Sequence, residues 1–168
     1  MSAKVFHVLF LSQRNSARSM MAESILNRIG QPNFVAYSAG LDPTDTLEPE
    51  TRELLEAMGY PTDTLRPKHY RDFGAVDAQK LDFVFTLSDT AAGEPLPDWA
   101  GLPVSAHWAS TDPVKATGEP WERKQAFSRA MVELDRRLKI FVNLPLASLD
   151  RLSIQSHVDE IGRSKAAD

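Results

Sequence analysis

The stretch VFHVLFLSQRNSARSMMAE, residues Val5 to Glu23, decides the fold. It opens with seven residues that are β-branched, leucine or aromatic except for His7, which is typical of a strand buried on both faces of a sheet. A polar loop begins at Ser12, and a helical pattern begins at Ala17 and stops at Gly30. The order strand, loop, helix predicts the first unit of an α/β fold.

The same alternation continues along the chain. The sequence predicts a strand over Phe34 to Gly40, a helix over Pro49 to Met58, two further strands over Leu81 to Leu87 and Leu102 to His107, and a long helix containing Phe127 to Phe141. We therefore expect an α/β fold with an open four-stranded parallel sheet and helices on both faces.

Two long loops follow the carboxyl ends of the last two strands, where such sheets form their ligand crevice. They are Ser88 to Gly101 and Trp108 to Pro120. Trp99 and Trp108 in these loops either line the crevice or pack in the core.

The tail predicts a further helix at the carboxyl terminus. Its apolar residues recur at helical spacing behind Ser148, which we expect to cap the helix. A length of 168 residues fits one domain, so we assign residues 1–145 to the domain and residues 146–168 to a helical extension packed on it. The extension either covers the domain edge, which we favour, or forms a dimer contact, so a monomer or a weak homodimer is expected.

Composition excludes several function classes. The chain has no cysteine, so disulfides, thiolate metal sites, thiol nucleophiles and dithiol redox cycles are ruled out. Nineteen basic and 23 acidic side chains give a net charge of -4, the wrong sign for a nucleic-acid partner. The apolar run Val5 to Leu11 is too short to span a bilayer and lacks a signal-peptide cleavage site, which predicts a cytoplasmic protein without a membrane partner.

The polar loop Ser12 to Ser19 is the candidate functional site. Backbone N–H groups between a strand and a helix N-terminus form a concavity that binds oxyanions through amide donors and the helix dipole. The Arg18 guanidinium matches two oxygens of a phosphate-like anion. The alternative is a polar turn with Arg14 and Arg18 in solvent.

The loop and its surroundings resemble the low-molecular-weight protein tyrosine phosphatases and the related thioredoxin-type arsenate reductases. Those proteins carry a cysteine, five residues, arginine and serine, with asparagine in the middle and Met-Ala-Glu following, and residues 8–23 match this pattern apart from the cysteine. The resemblance covers residues 4 to 145, through YSAG at 37–40, DFVFT at 82–86, AAGE at 91–94, HW at 107–108 and DP at 112–113. The last two motifs are more similar to the arsenate reductase branch.

The chain departs from the family at each of three cysteine positions. The resemblance implies a nucleophile at Ser12 and two redox cysteines at Ser88 and Leu96. A hydroxyl or an isobutyl group cannot form a disulfide, so arsenate reduction through a thiol relay is excluded. Phosphatase chemistry is also hindered, because serine needs a general base to become a nucleophile and the loop contains none.

Two residues outside the loop bear on the alternatives. Asp112 resembles the family's general acid, so a slow phosphatase using Ser12, Arg18 and Asp112 is the alternative enzyme. His107 is interpreted as a structural, hydrogen-bonded histidine at a strand end rather than a catalytic group. A third interpretation, an engineered cysteine-free form of an arsenate reductase, fits Leu96 poorly, and natural divergence is favoured.

The favoured hypothesis is an oxyanion-binding, catalytically inactive member of the family. The neutral Ser12 hydroxyl removes the repulsion between a thiolate and an incoming anion, which is about 4 kcal/mol per charge pair at 4 Å and an effective dielectric constant of 20. The predicted ligand is phosphate, arsenate, sulfate or a phosphorylated protein, and no cofactor is expected. Arg14 either adds charge to the site or faces solvent. The predicted binding residues are Gln13, Arg14, Asn15, Ser16, Ala17, Arg18 and Ser19.

The resemblance also implies supporting residues. Asn15 is expected to adopt a positive φ, which asparagine tolerates, and Ser19 is expected to hydrogen-bond toward position 12. The potassium site of one arsenate reductase branch uses positions that resemble Asn15, Glu23 and Ser38, with an aspartate where this chain has Lys68. Lys68 either replaces the cation or is an ordinary surface lysine, and we expect neither bound potassium nor another metal.

Overall fold

A computed structural model describes residues 4–75 and 78–164. Its strands are β1 (Phe6–Ser12), β2 (Phe34–Gly40), β3 (Phe83–Thr86) and β4 (Val104–His107). They form one parallel sheet in the order β2-β1-β3-β4. The α-helices are α1 (Arg18–Ile29), α2 (Pro49–Ala57), α3 (Asp89–Gly93), α4 (Pro120–Val142) and α5 (Arg151–Arg163). The predicted α/β class, the four-stranded parallel sheet and the C-terminal helix are confirmed.

The predicted ends of some elements are wrong. The prediction begins β4 at Leu102, but that residue has a φ of 50° and follows Gly101, whose φ is 97°. Two left-handed residues in succession turn the chain, so the extended strand begins only afterwards. The loop predicted after β3 contains α3, because the Ser88 Oγ accepts a hydrogen bond from the N–H of Ala91 at 3.2 Å and caps that short helix.

The two sides of the sheet are covered unequally. On one side, α1, α4 and α5 bury the larger core together with Val8 and Phe10 of β1. On the other side, α3 and the 3₁₀ helix Tyr70–Phe73 cover a smaller cluster that includes Leu9 and Leu11. Alternate residues of β1 therefore enter different cores, which explains why this strand is almost continuously apolar.

Trp108 lies in the larger core and does not line the crevice. Its side chain is fully buried and stacks on Phe85, with ring centroids 4.0 Å apart. The indole Nε1–H donates a hydrogen bond to the carbonyl of Val158 in α5 at 3.0 Å. The packing interpretation is therefore right for Trp108. Trp99 packs in the smaller cluster and also borders a cavity of about 610 Å³.

Helix α5 covers the edge of the sheet at β4, in agreement with the favoured interpretation of the tail. The predicted cap of this helix is wrong. Ser148 belongs to the 3₁₀ helix Leu146–Ser148, and its Oγ donates to the carbonyl of Pro145 at 3.0 Å. Asp150 caps α5 instead, accepting a hydrogen bond from the N–H of Ser153 at 2.7 Å. Residues 1–3 and 165–168 of the two predicted segments lie outside the described residues.

None of the helices in the described part of the chain is both long enough and apolar enough to cross a membrane.

The substitution Gly162→Ala is expected to loosen the docking of α5. A Cβ atom at this position would overlap the carbonyl oxygen of His107 and lie 2.7 Å from Cδ1 of Trp108, so the helix or the strand must shift. We expect the free energy of unfolding, measured by urea denaturation, to fall by about 1–3 kcal/mol. The matched control is Gly93→Ala, since no atom lies within 4 Å of a Cβ there, and it should not destabilise the protein. Equal changes in the free energy of unfolding for the two substitutions would show that the close approach of α5 to β4 does not require glycine at position 162.

Candidate functional site

The loop Ser12 to Ser19 joins β1 to the N-terminus of α1, and its carbonyl groups point away from its centre. N–H groups of the segment after β2, residues 41–48, donate to them at 2.9 to 3.1 Å, and the four accepting residues are Ser12, Gln13, Arg14 and Ser16. Because the carbonyls are engaged on the outside, the loop N–H groups are left on the inside. No side chain caps α1 at Ala17 within the described residues, so the donors of the first helical turn also face the centre of the loop.

Asn15 holds the turn of the loop with a φ of 52°, as predicted. Its Oδ1 accepts from the N–H of Lys68 at 2.8 Å, and its Nδ2 donates to the Ser19 Oγ at 2.7 Å. The predicted contact between Ser19 and Ser12 is present, with the two Oγ atoms 2.7 Å apart. A Cβ on Gly40 would lie 3.0 Å from the backbone nitrogen of Asn15, so glycine allows β2 to approach the loop closely.

Arg18 is buried, and its guanidinium already has partners. Its Nη1 donates to the carbonyl of Leu87 at 3.2 Å and to the carbonyl of Ser110 at 2.7 Å, and its Nη2 lies 3.4 Å from Oδ2 of Asp112. Burial lowers the pKa of Arg18, and the carboxylates of Asp112 and Asp89 oppose that shift. The arginine expected to bind an anion is therefore held by two carbonyls and a carboxylate of its own chain.

The cavity inside the loop has a volume of only about 10 Å³. Such a space has room for one water molecule at most. Loop residues line it together with Asp112 and Val114, so movement of the segment carrying these two residues would enlarge the space for a tetrahedral anion. The Arg14 guanidinium pairs with the exposed Asp42 carboxylate, which agrees with the solvent-facing alternative for this residue.

A second polar cluster, made by Glu23, Ser38 and Lys68, lies next to the loop. The Ser38 Oγ donates to Oε1 of Glu23 at 3.2 Å, and Nζ of Lys68 lies 4.0 Å from the same oxygen. Burial raises the pKa of Glu23, and Lys68 and Ser38 oppose this shift. Burial also lowers the pKa of Lys68, against the effect of Glu23. The ammonium thus lies beside a buried carboxylate, as the interpretation that Lys68 replaces a cation requires. Among the described residues, no three or more His, Asp or Glu side chains are arranged to hold a metal ion.

The substitution Glu23→Gln is expected to change how stability depends on pH. Because the folded-state pKa of Glu23 is raised above its ordinary value of 4.5, its stabilising effect is fully present below that value and is lost as pH rises through the folded pKa. As pH falls through this window, the natural protein should therefore gain stability relative to the variant. Urea denaturation at a series of pH values measures the difference.

The control for this experiment is Glu53→Gln, which removes a carboxylate that is 64% exposed and paired with Lys124. Exposed pairs contribute little to stability, so this variant should follow the natural protein. A constant difference between Glu23→Gln and the natural protein at every pH would show that the Glu23 carboxylate is not disfavoured by burial.

The two positions at which the resemblance implies redox cysteines, Ser88 and Leu96, have structural roles here. Ser88 caps α3, and Leu96 packs against the smaller cluster. His107 is hydrogen-bonded at the end of β4, as interpreted: its Nδ1 lies 2.8 Å from Oγ1 of Thr86, and its Nε2 lies 3.0 Å from Oδ1 of Asp89.

Sequence reasoning missed Leu87 and Ser110, the residues that contact Arg18. Both accept its hydrogen bonds through backbone carbonyls. Every residue type carries such a carbonyl, so no residue pattern marks these two positions.

Comparison with known proteins identifies the family. The sequence model of the low molecular weight phosphotyrosine protein phosphatases matches residues 7–143, so the chain belongs to this family. An arsenate reductase from Shouchella clausii (strain KSM-K16) is 31% identical over 142 residues, and the alignment covers 84% of this chain and 96% of that protein. The resemblance expected from the loop and its surroundings is confirmed at the level of the family.

Solved structures share the fold. The arsenate reductase from Archaeoglobus fulgidus DSM 4304 superposes with a TM-score of 0.66 at 23% identity, covering 82% of this chain and 99% of that one. An arsenate reductase in the phosphate binding state superposes with a TM-score of 0.67 at 23% identity, covering 82% of this chain and 97% of that one.

Proposed function

We propose that this protein binds a tetrahedral oxyanion in the loop Ser12 to Ser19 and does not turn it over. The observation that carries the proposal is the outward engagement of the loop carbonyls, which leaves amide donors facing inward at a helix N-terminus without a capping side chain. Such donors, together with the Arg18 guanidinium, favour a phosphate-like anion. The proposed ligand groups are the N–H donors of the loop and the side chains of Ser12, Arg18 and Ser19, with Arg14 at the rim.

The hydrogen bonds of Ser12 support binding rather than catalysis. Among the described residues, its Oγ has two partners: the Oγ of Ser19 at 2.7 Å and the N–H of Asn15 at 3.2 Å. Neither group can take the proton from Ser12, so the hydroxyl has no general base. When Ser19 donates to Ser12, the Ser12 proton is free to donate to an oxygen of the anion.

We expect the anion to displace Asp112 from Arg18, because both are ligands of one guanidinium and the loop cavity is small. A phosphate dianion competes well with a single carboxylate, since it brings more charge and more acceptor oxygens to the guanidinium. The structural likeness to an arsenate reductase in the phosphate binding state makes phosphate the first ligand to test.

Calorimetric titration with phosphate and with arsenate tests the proposal. We expect saturable heat and a higher melting temperature at millimolar anion. Absence of both effects would contradict binding. Steady hydrolysis of an aryl phosphate by the pure protein, lost in Arg18→Ala, would contradict the absence of turnover.

The substitution Asp112→Asn is expected to tighten phosphate binding about tenfold at neutral pH, because it removes a carboxylate that repels the anion, and tenfold corresponds to about 1.4 kcal/mol. Asparagine keeps the Oδ1 that accepts a hydrogen bond from the N–H of Val114 at 3.1 Å. Calorimetry gives the dissociation constants. The control Asp63→Asn removes an exposed carboxylate outside the loop and should leave affinity within about twofold. Unchanged affinity in Asp112→Asn would show that this carboxylate does not compete with the ligand.

The alternative function is a slow phosphatase that uses Ser12 as nucleophile and Asp112 as general acid. One observation favours it: both residues border the same small cavity. We rank it second because Ser12 lacks a base within the described residues. A cytoplasmic location and a monomeric or weakly dimeric state stay predictions.

A further inference from the structure

A groove of about 960 Å³ lies between α4 and the segment of residues 110–116. We call it the α4 groove, formed by residues 110–116 and 125–136. Nη1 of Arg123 donates to the carbonyl of Val114 at 2.7 Å, and Nη1 of Arg137 donates to the carbonyl of Ala109 at 2.9 Å. The segment therefore runs antiparallel to α4, which places the start of the segment near the C-terminal half of the helix.

The α4 groove carries positive charge that the protein does not neutralise. Lys115, Arg129 and Arg136 line it, and none of the three forms an ion pair within residues 4–75 and 78–164. Its two carboxylates are engaged elsewhere: Asp112 lies 3.4 Å from Arg18, and Glu133 lies 3.3 Å from Arg137. In a chain with a net charge of -4, this is a local surface suited to a negatively charged partner.

One end of the groove contains two buried polar atoms that lack hydrogen-bond partners in the described structure. They are Nη2 of Arg136 and Oγ of Ser110. A buried donor without an acceptor is costly, so an acceptor atom that reaches this end would remove that cost. Carboxylate oxygens are such acceptors and pair well with a guanidinium.

The α4 groove and the anion loop share parts. Asp112 lines both cavities, and the carbonyl of Ser110 accepts the 2.7 Å hydrogen bond from Arg18. A ligand that extends from the loop therefore reaches the groove past the segment of residues 110–116.

We propose that the α4 groove binds the acidic flank of a phosphorylated polypeptide whose phosphoryl group occupies the loop Ser12 to Ser19. This inference rests on the proposed function and names its ligand class. Arg129 and Arg136 are two turns apart on α4, about 10 Å along the axis at 1.5 Å per residue. An extended peptide rises about 3.3 Å per residue, so about three residues of such a peptide span the distance between the two arginines.

The lining of the groove favours a polypeptide over a second free anion. Val132, which is 68% exposed, and the half-buried Ala126 provide apolar surface between the cations. A free anion leaves that surface in water, whereas peptide side chains cover it and place carboxylates at the arginines.

Titration with matched peptides tests the inference. The probes are inorganic phosphate, a phosphotyrosine peptide with Asp and Glu flanks, the same peptide with Asn and Gln flanks, and the acidic peptide without phosphate. We expect the acidic phosphopeptide to bind about tenfold more tightly than the neutral one, with the difference shrinking at high salt. The unphosphorylated acidic peptide should bind more weakly than the acidic phosphopeptide.

Substitutions in the α4 groove test whether the difference in affinity between the acidic and the neutral phosphopeptide arises there. Arg129→Ala and Arg136→Ala should each weaken the acidic phosphopeptide about threefold or more and leave inorganic phosphate within about twofold. The exposed Lys80→Ala removes the same charge outside the groove and should change neither ligand. If Arg136→Ala fails to fold, Arg129→Ala keeps the test, because Arg129 is exposed.

The outcomes separate the two proposals. Equal affinity for acidic and neutral phosphopeptides, with inorganic phosphate still bound, would overturn the groove assignment and leave the proposed function standing. Equal affinity for the acidic peptide with and without its phosphate would also overturn it, since the groove would then act without the loop. Failure to bind inorganic phosphate would contradict the proposed function itself.

Discussion

Replacing Arg18 with alanine is expected to abolish phosphate binding and to lower the free energy of unfolding by about 2–4 kcal/mol. The loss of stability arises because the carbonyls of Leu87 and Ser110 lose their donor and Asp112 loses its charged partner inside the structure. The loss of binding arises because no other buried guanidinium borders the loop cavity in the described residues. Urea denaturation and calorimetry with phosphate measure the two effects.

Arg14→Ala is the matched control for Arg18→Ala, since both arginines belong to the same loop. The Arg14 side chain is 52% exposed and pairs with a carboxylate that is 68% exposed. Its removal should cost less than about 1 kcal/mol of stability and weaken phosphate binding only several-fold. If a folded Arg18→Ala protein bound phosphate as tightly as the natural protein, the anion would have to bind somewhere other than this loop.

Replacing Ser12 with cysteine is expected to produce aryl phosphatase activity on the order of 100-fold or more above the natural protein. A helix N-terminus and a nearby arginine favour the thiolate. The thiolate would attack phosphorus while the bond to the aryl oxygen breaks, and protonated Asp112 would give its proton to the leaving phenolate. Water would then hydrolyse the phosphocysteine to release phosphate. Release of nitrophenolate from its phosphate ester gives the rate.

The control for Ser12→Cys is Ser12→Ala, which should bind phosphate and remain inactive. The cysteine variant must also bind phosphate by calorimetry, so that a lack of activity is not a lack of folding or of ligand. Equal activity in the natural protein and in Ser12→Cys would mean that residue 12 is not the nucleophile. A cysteine variant that binds phosphate without hydrolysing an ester would show that Asp112 does not reach the leaving group.

The sequence was a good guide wherever a local pattern carried the structural information. The strand β1 follows from its run of apolar residues, and the left-handed turn at Asn15 follows from the family resemblance together with the tolerance of asparagine for positive φ; both are found. The local pattern failed at the cap of α5: Ser148 has the right residue type, but its hydroxyl bonds to Pro145, and Asp150 caps the helix. For Trp108 the sequence left the crevice and the core open, and stacking on Phe85 places it in the core.

The sequence by itself determined the α/β class, the position of the loop between β1 and α1, and the absence of thiol chemistry, because these depend on periodicity and on which atoms are present. Only the tertiary structure decided that the loop cavity is small and that Arg18 already has partners within the chain. The carbonyls that hold Arg18 belong to residues 69 and 92 positions away along the chain. Backbone atoms are the same in every residue, so contacts through them leave no mark in the sequence and exist only once the sheet brings its loops together.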